Sequence, residues 1–199
     1  MPTDLYAAIR EGLLKSKAEE AAAIASSGQT LVLERALLTF FIKEQGMQGI
    51  VMCIDRPPTF YERILGEIEA PAQSISYLDV TGSGSTGPTI QRSDNIADLN
   101  TLSIDLFQLI NGVIKRQPAK RVFVIFDALP AMQLYISPEQ FLKFLHATNL
   151  RLRALNVYQL YIIDGTKDTT NTIKQFCDTV LELKAKPEEE FAAALGANA

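Results

Sequence analysis

The feature that most restricts what this chain can become is its alternation of short apolar runs with helix-forming segments. The runs "GIVMCID" (residues 49–55), "SISYLDV" (74–80), "RVFVIFD" (121–127), "YQLYIID" (158–164) and "DTVLELK" (178–184) are separated by stretches of helical spacing. A continuous apolar run such as "VFVIF" is what a strand covered on both faces requires. Alternation of this kind, about six strand-helix steps, calls for right-handed crossovers and a mostly parallel sheet with helices on both sides. The predicted fold class is therefore α/β, a three-layer α/β/α sandwich. At 199 residues the chain fits one domain spanning 1–199.

Within that domain the segment 3–25 is rich in Ala, Glu, Lys and Leu and reads as an N-terminal helix, stopped by Ser26-Ser27-Gly28. "TLVLE" (30–34) reads as the first strand, so the core is predicted over about residues 29–184. "RALLTFFIKEQG" reads as a helix with Gly46 as its C-cap, and "RPPTFYERILGEI" as a helix whose prolines fall where a first turn tolerates them. Leu99, Leu102, Leu106, Leu109, Ile110 and Val113 form one stripe of a helix over Asp98–Lys115. Another helix is predicted over Pro138–Leu155, with Phe141, Phe144, Leu145, Leu152 and Leu155 on one side. Residues 82–97 are polar and glycine-rich and read as a flexible loop; 185–199 read as a tail.

The net charge of −4 and pI near 5.1 argue against a general nucleic-acid or membrane-surface binder, which would present a basic face. Lys115, Arg116, Lys120 and Arg121 cluster at a helix-to-strand turn, where cations also complement a helix C-terminus. Cys53 and Cys177 are isolated and make neither a metal set nor a disulfide framework. His146, alone on its helix, reads as a packed or surface residue. No run of eighteen apolar residues and no signal core is present, so a cytoplasmic protein with reduced thiols is expected.

Open parallel sheets bind ligands beyond the carboxyl ends of their strands, near the point where strand order reverses. Four acids read as strand ends: Glu34, Asp55, Asp127 and Asp164. Such a rim suits a hard cation, with Asp127 as the candidate metal ligand, or a nucleotide; acids there also turn the chain and cap helices. A phosphate cradle is missing. It needs a strand, several glycines and a Lys-Ser/Thr pair opening a helix, whereas Gly28-Gln29-Thr30 has one glycine and Gln in the lysine's place. Preceded by a predicted helix, it reads as a turn into a strand.

"VFVIFDALPAM" resembles the second nucleotide-binding motif and its continuation in the KaiC/RecA-like ATPases, and "GIVMCIDRPPTFYERIL" resembles the strand and helix those proteins place after the phosphate-loop helix. The resemblance runs over about residues 30–184 and is closest to small archaeal members. It implies a RecA-like sheet, with Asp127 matching the Mg²⁺-associated Asp and Asp55 the first of two acids that activate water. Arg56 stands where the second acid belongs, and Ala128 and Pro130 replace serines. The phosphate-loop lysine and hydroxyl have no counterpart. The expectation is a non-catalytic module with no cofactor, acting through protein contacts in signalling or regulation. Its partner would be a second copy or an active RecA-like ATPase. The alternatives are an ATP/Mg²⁺ binder using the carboxylate rim, or a nucleic-acid-associated accessory protein.

Overall fold

The structure, a computed structural model, describes residues 3–14, 21–26, 30–163 and 167–183. Among the described residues seven strands form one parallel sheet: β1 (Ala21–Ser26), β2 (Gln48–Cys53), β3 (Ile75–Asp79), β4 (Ile90–Arg92), β5 (Val122–Phe126), β6 (Tyr158–Ile163) and β7 (Thr179–Leu183). Their order across the sheet is β4-β3-β2-β5-β6-β1-β7. The helices are α1 (Thr3–Leu14), α2 (Thr30–Leu38), α3 (Pro58–Glu67), α4 (Leu99–Arg116), α5 (Pro138–Ala154) and α6 (Lys167–Lys174).

Each face of the sheet has its own apolar layer. Ile9 and Leu13 of α1, Leu33 and Leu37 of α2 and Tyr61, Ile64 and Leu65 of α3 pack on one side. Leu102, Leu106 and Ile110 of α4, Phe141, Phe144 and Leu145 of α5 and Ile173 of α6 pack on the other. The strands between them, β2, β3, β5 and β6, are buried at every position, which is why their sequences lack polar alternation. The three-layer α/β fold is thus as the sequence indicates.

Two elements near the N-terminus differ from the reading above. The helix predicted over 3–25 ends at Leu14 among the described residues, and Ala21–Ser26 is an interior strand, paired with β6 on one side and β7 on the other. Alanine favours helices, but Ala21, Ala22 and Ala23 are fully buried here. Small side chains suit a strand closely covered by helices, and that packing overrides the local preference. As a result "TLVLE" is not a strand: it opens α2, with Leu33 and Leu37 one turn apart on the buried side. Gly28 and Gln29 lie outside the described residues, but they connect a strand to a helix rather than a helix to a strand.

After Leu38 the helix widens into a π-helical stretch, Thr39–Glu44. The Thr39 hydroxyl donates to the Arg35 carbonyl (2.8 Å), and Phe40, Phe41 and Ile42 are all buried, three in a row. A further difference lies in the polar segment 82–97. Its residues Ile90–Arg92 form β4, in register with Tyr77–Asp79 of β3, and the Tyr77 amide donates to the Thr89 carbonyl (2.7 Å). Helices α4 and α5 match their predicted spans to within one residue. A capping box at Ser137 and Gln140 starts α5, and Asp98 caps α4. The basic residues 115, 116, 120 and 121 are exposed around the α4–β5 turn.

Candidate functional site

Chain order fixes where a site would be. From β2 the chain runs outward to β3 and β4, and from β5 it runs the other way to β6, so order reverses between the neighbours β2 and β5. Helix α3 leaves β2 on one face and α5 leaves β5 on the other. The crevice between these strand ends is where such sheets hold ligands.

Asp127, one residue beyond β5, stands in that crevice and is 2% exposed. Its carboxylate accepts four hydrogen bonds. Oδ1 takes the amides of Ile54 and of Asp55 (3.2 Å). Oδ2 takes the amide of Arg56 (3.3 Å) and the Tyr61 hydroxyl (2.8 Å). The side chain therefore ties the end of β5 to the turn after β2 and to the first turns of α3, and the crevice is stapled shut. Burial pushes the Asp127 carboxyl up to about 6, while these four donors pull it down.

Glu34 joins the same network from an unexpected direction. It is a helical residue of α2, not a strand end, and is fully buried. Its Oε2 accepts from Arg56 Nη1 (2.7 Å) and its Oε1 lies 3.2 Å from the Tyr61 hydroxyl. Burial raises the Glu34 carboxyl to about 7; the Arg56 guanidinium opposes this and the Asp127 charge adds to it. Tyr61 has one proton and two carboxylates in reach, so the two buried acids share one hydroxyl, while the Arg56 guanidinium serves Glu34 and the Arg56 backbone amide serves Asp127. Arg56 also stacks on Phe60, its guanidinium carbon 4.7 Å from the ring centroid.

The remaining predicted rim residues divide. Asp55 contributes its backbone amide to Asp127, while its side chain is exposed. Asp164 lies outside the described residues. An acid not singled out from the sequence, Asp79 at the end of β3, is buried and closes the following loop by accepting from the Thr81 amide (3.0 Å), the Thr81 hydroxyl (2.6 Å) and the Ser83 hydroxyl (2.8 Å). Tyr61 was also missed. With Ile64, Leu65 and Ile68 it completes an ordinary apolar stripe, and nothing in its spacing announces the hydroxyl's role. Arg56 was noted only as a substituted acid, and its pairing with Glu34 becomes visible once Glu34 is helical.

A buried carboxyl titrating near neutrality is a general-base candidate by its pKa alone. Glu34 has no exposed surface, and its partners are Arg56 and Tyr61 of the same network. His146 is exposed on α5 with its ring 6.0 Å from Phe176, and Cys53 and Cys177 are free thiols. Among the described residues no three His, Cys, Asp or Glu side chains converge on a possible metal position, and no helix is long and apolar enough to cross a membrane.

This architecture is that of the KaiC-like, RecA-fold proteins. A KaiC-like protein of the hyperthermophilic archaeon Pyrococcus horikoshii superposes with a TM-score of 0.64 at 11% identity, over 84% of this chain and 74% of that one. A second Pyrococcus horikoshii protein, described as uncharacterized and in complex with an unknown peptide, gives 0.67 at 14% identity, over 84% and 78%. At such identities the likeness shows the fold. The sequence itself matches the model of DUF7504, a family of unknown function, over residues 24–183, and the chain belongs to that family. No protein of curated function matches it.

Proposed function

We propose that this chain is a non-catalytic RecA/KaiC-like module that works through protein contacts in signalling or regulation, its nucleotide machinery converted to structural use. The observation that carries the reading is the saturated carboxylate of Asp127. Two oxygens offer about four acceptor positions: three main-chain amides take three, and the Tyr61 hydroxyl, nearer to Asp127 (2.8 Å) than to Glu34 (3.2 Å), takes the fourth. A divalent cation needs free oxygen lone pairs and would have to break these bonds. Mg²⁺-ATP is therefore a poor match for the residues present.

Two further features support the reading. The connection from β1 to α2 spans only residues 27–29, with one glycine and no lysine, too few amides and no cation to cradle phosphates. Arg56, where a second acid would help activate water, is instead the counter-ion of Glu34. A peptide bound to one protein of the same fold is in keeping with a contact-making role, although that peptide belongs to the other protein. The test is a phosphate-release assay with ATP and Mg²⁺ on the wild type and Asp127→Asn. The expected result is release no faster than the blank for both; turnover that the substitution abolishes would overturn the proposal.

A further inference from the structure

We propose that the free edge of β7 is an interaction surface for a second copy of this chain, the two β7 strands pairing antiparallel about Leu181. The inference rests on the protein-contact reading above and names the partner.

The sheet has two edges, and they differ. β4 has three residues, one of them Arg92. β7 has five, "TVLEL", with neither Pro nor Lys, and among the described residues its one strand neighbour is β1. Chains that remain single guard long edges with lysine, other charges, proline, bulges or brevity; β7 has no lysine or proline, and its one charge is Glu182.

Main-chain directions identify the groups left over. The Ala21 amide donates to Asp178 Oδ2 (3.0 Å) and its carbonyl accepts from the Asp178 amide (2.8 Å), so the Ala21 main chain faces β7. Alternation along β1 turns Ala23 and Ala25 the same way. These residues register with Val180 and Glu182. In a parallel ladder only one residue of each facing pair bonds across, so the N–H and C=O groups of Val180 and Glu182 point away from the sheet. Among the described residues no backbone group pairs with them.

A second β7 satisfies these groups with no new chemistry. Antiparallel pairing about Leu181 sets position 180 of each copy opposite position 182 of the other. Both positions already turn outward, so two doubly bonded pairs close symmetrically, as a twofold interface requires. Each face offers one exposed apolar side chain beside the edge. Val180 is 39% exposed on one, and on the other Leu14 is 50% exposed at the end of α1, the helix whose Gly12 packs on the Leu181 side chain. The sequence following β7, "KAKPEEEFAAALGANA", carries Pro187 and is rich in Lys, Glu and Ala, residues depleted from strands.

The test is light scattering and sedimentation of the full chain over a range of concentrations, for the wild type and Val180→Pro. Proline there removes one outward N–H and leaves the β1 ladder intact. The expected results are twice the chain mass for the wild type and one chain mass for the variant, with unchanged circular dichroism. Should the proline variant fail to fold, Val180→Asp supplies the same readout. Hydrogen exchange at the 180 and 182 amides should be slow in concentrated samples and quicken on dilution. A wild type that is monomeric throughout overturns the inference, as does a folded variant that stays dimeric. A monomer with protected amides also overturns it and gives the edge to another segment of the chain. None of these outcomes touches nucleotide binding, so the protein-contact reading is judged separately.

Discussion

Replacing Glu34 by Gln isolates the buried network in a single titration. Glutamine keeps the shape and can still accept from Arg56, but it cannot exchange a proton. In the wild type Glu34 is raised from an ordinary value of 4.5 to about 7, first by burial. An acid whose folded pKa is raised stabilises the fold fully below its unfolded pKa, and that contribution is lost as pH rises through the folded pKa. At 1.36 kcal/mol per unit, the shift corresponds to roughly 3 kcal/mol lost between about pH 4.5 and pH 8. Asp127, raised to about 6, titrates in the same window and is coupled to Glu34 through charge and the shared Tyr61 hydroxyl, so the double variant with Asp127→Asn completes the comparison. Urea denaturation at half-unit steps from pH 4.5 to 8.5 is the assay, read as the difference in unfolding free energy at a shared m-value. The variant should gain on the wild type by roughly 3 kcal/mol across that window, or several degrees of melting temperature for a chain of this size. Parallel pH profiles would refute the claim that Glu34 is buried as a titrating partner of Tyr61 and Arg56.

Two other substitutions read the same architecture. Asp127→Asn turns one acceptor oxygen into a donor facing protein donors, and should cost on the order of 3 kcal/mol in denaturant melts. A neutral result would mean that Asp127 is not the staple between β5 and the turn after β2. Gly49→Ala places a Cβ 2.6 Å from the Phe123 ring, which is fully buried and stacked on Phe41 at 4.8 Å. With no room to retreat, the ring should impose about 1–3 kcal/mol of overpacking, visible as a lower melting temperature.

Most of the sheet is legible because its strands are branched or aromatic and apolar throughout; "VFVIF" and "YQLYII" admit little else once they alternate with helices. The first strand is not. "AAAIAS" is helix-forming by composition, and only its position between β6 and β7 makes it extended. That one displacement moves "TLVLE" from strand to helix and Glu34 from strand end to helix interior. It also reverses what Gly28-Gln29 connects. The candidate site suffers accordingly. Asp127 is identifiable at the end of its strand, but what it does depends on three amides after β2 and on a tyrosine hydroxyl sixty-six residues away in sequence. Hydrogen bonds of that range leave no periodic mark, and Tyr61 looks like any other core aromatic.

Under the proposed function the crevice between β2 and β5 is closed and holds no nucleotide. The most direct test of this is thermal melting of the wild type against ATP, ADP and GTP, each with and without Mg²⁺. Ligand at one hundred times its Kd would add roughly 2.7 kcal/mol, several degrees for a chain of this length. The account predicts the same melting temperature in every condition; a Mg²⁺-dependent rise that disappears in Asp127→Asn would contradict it.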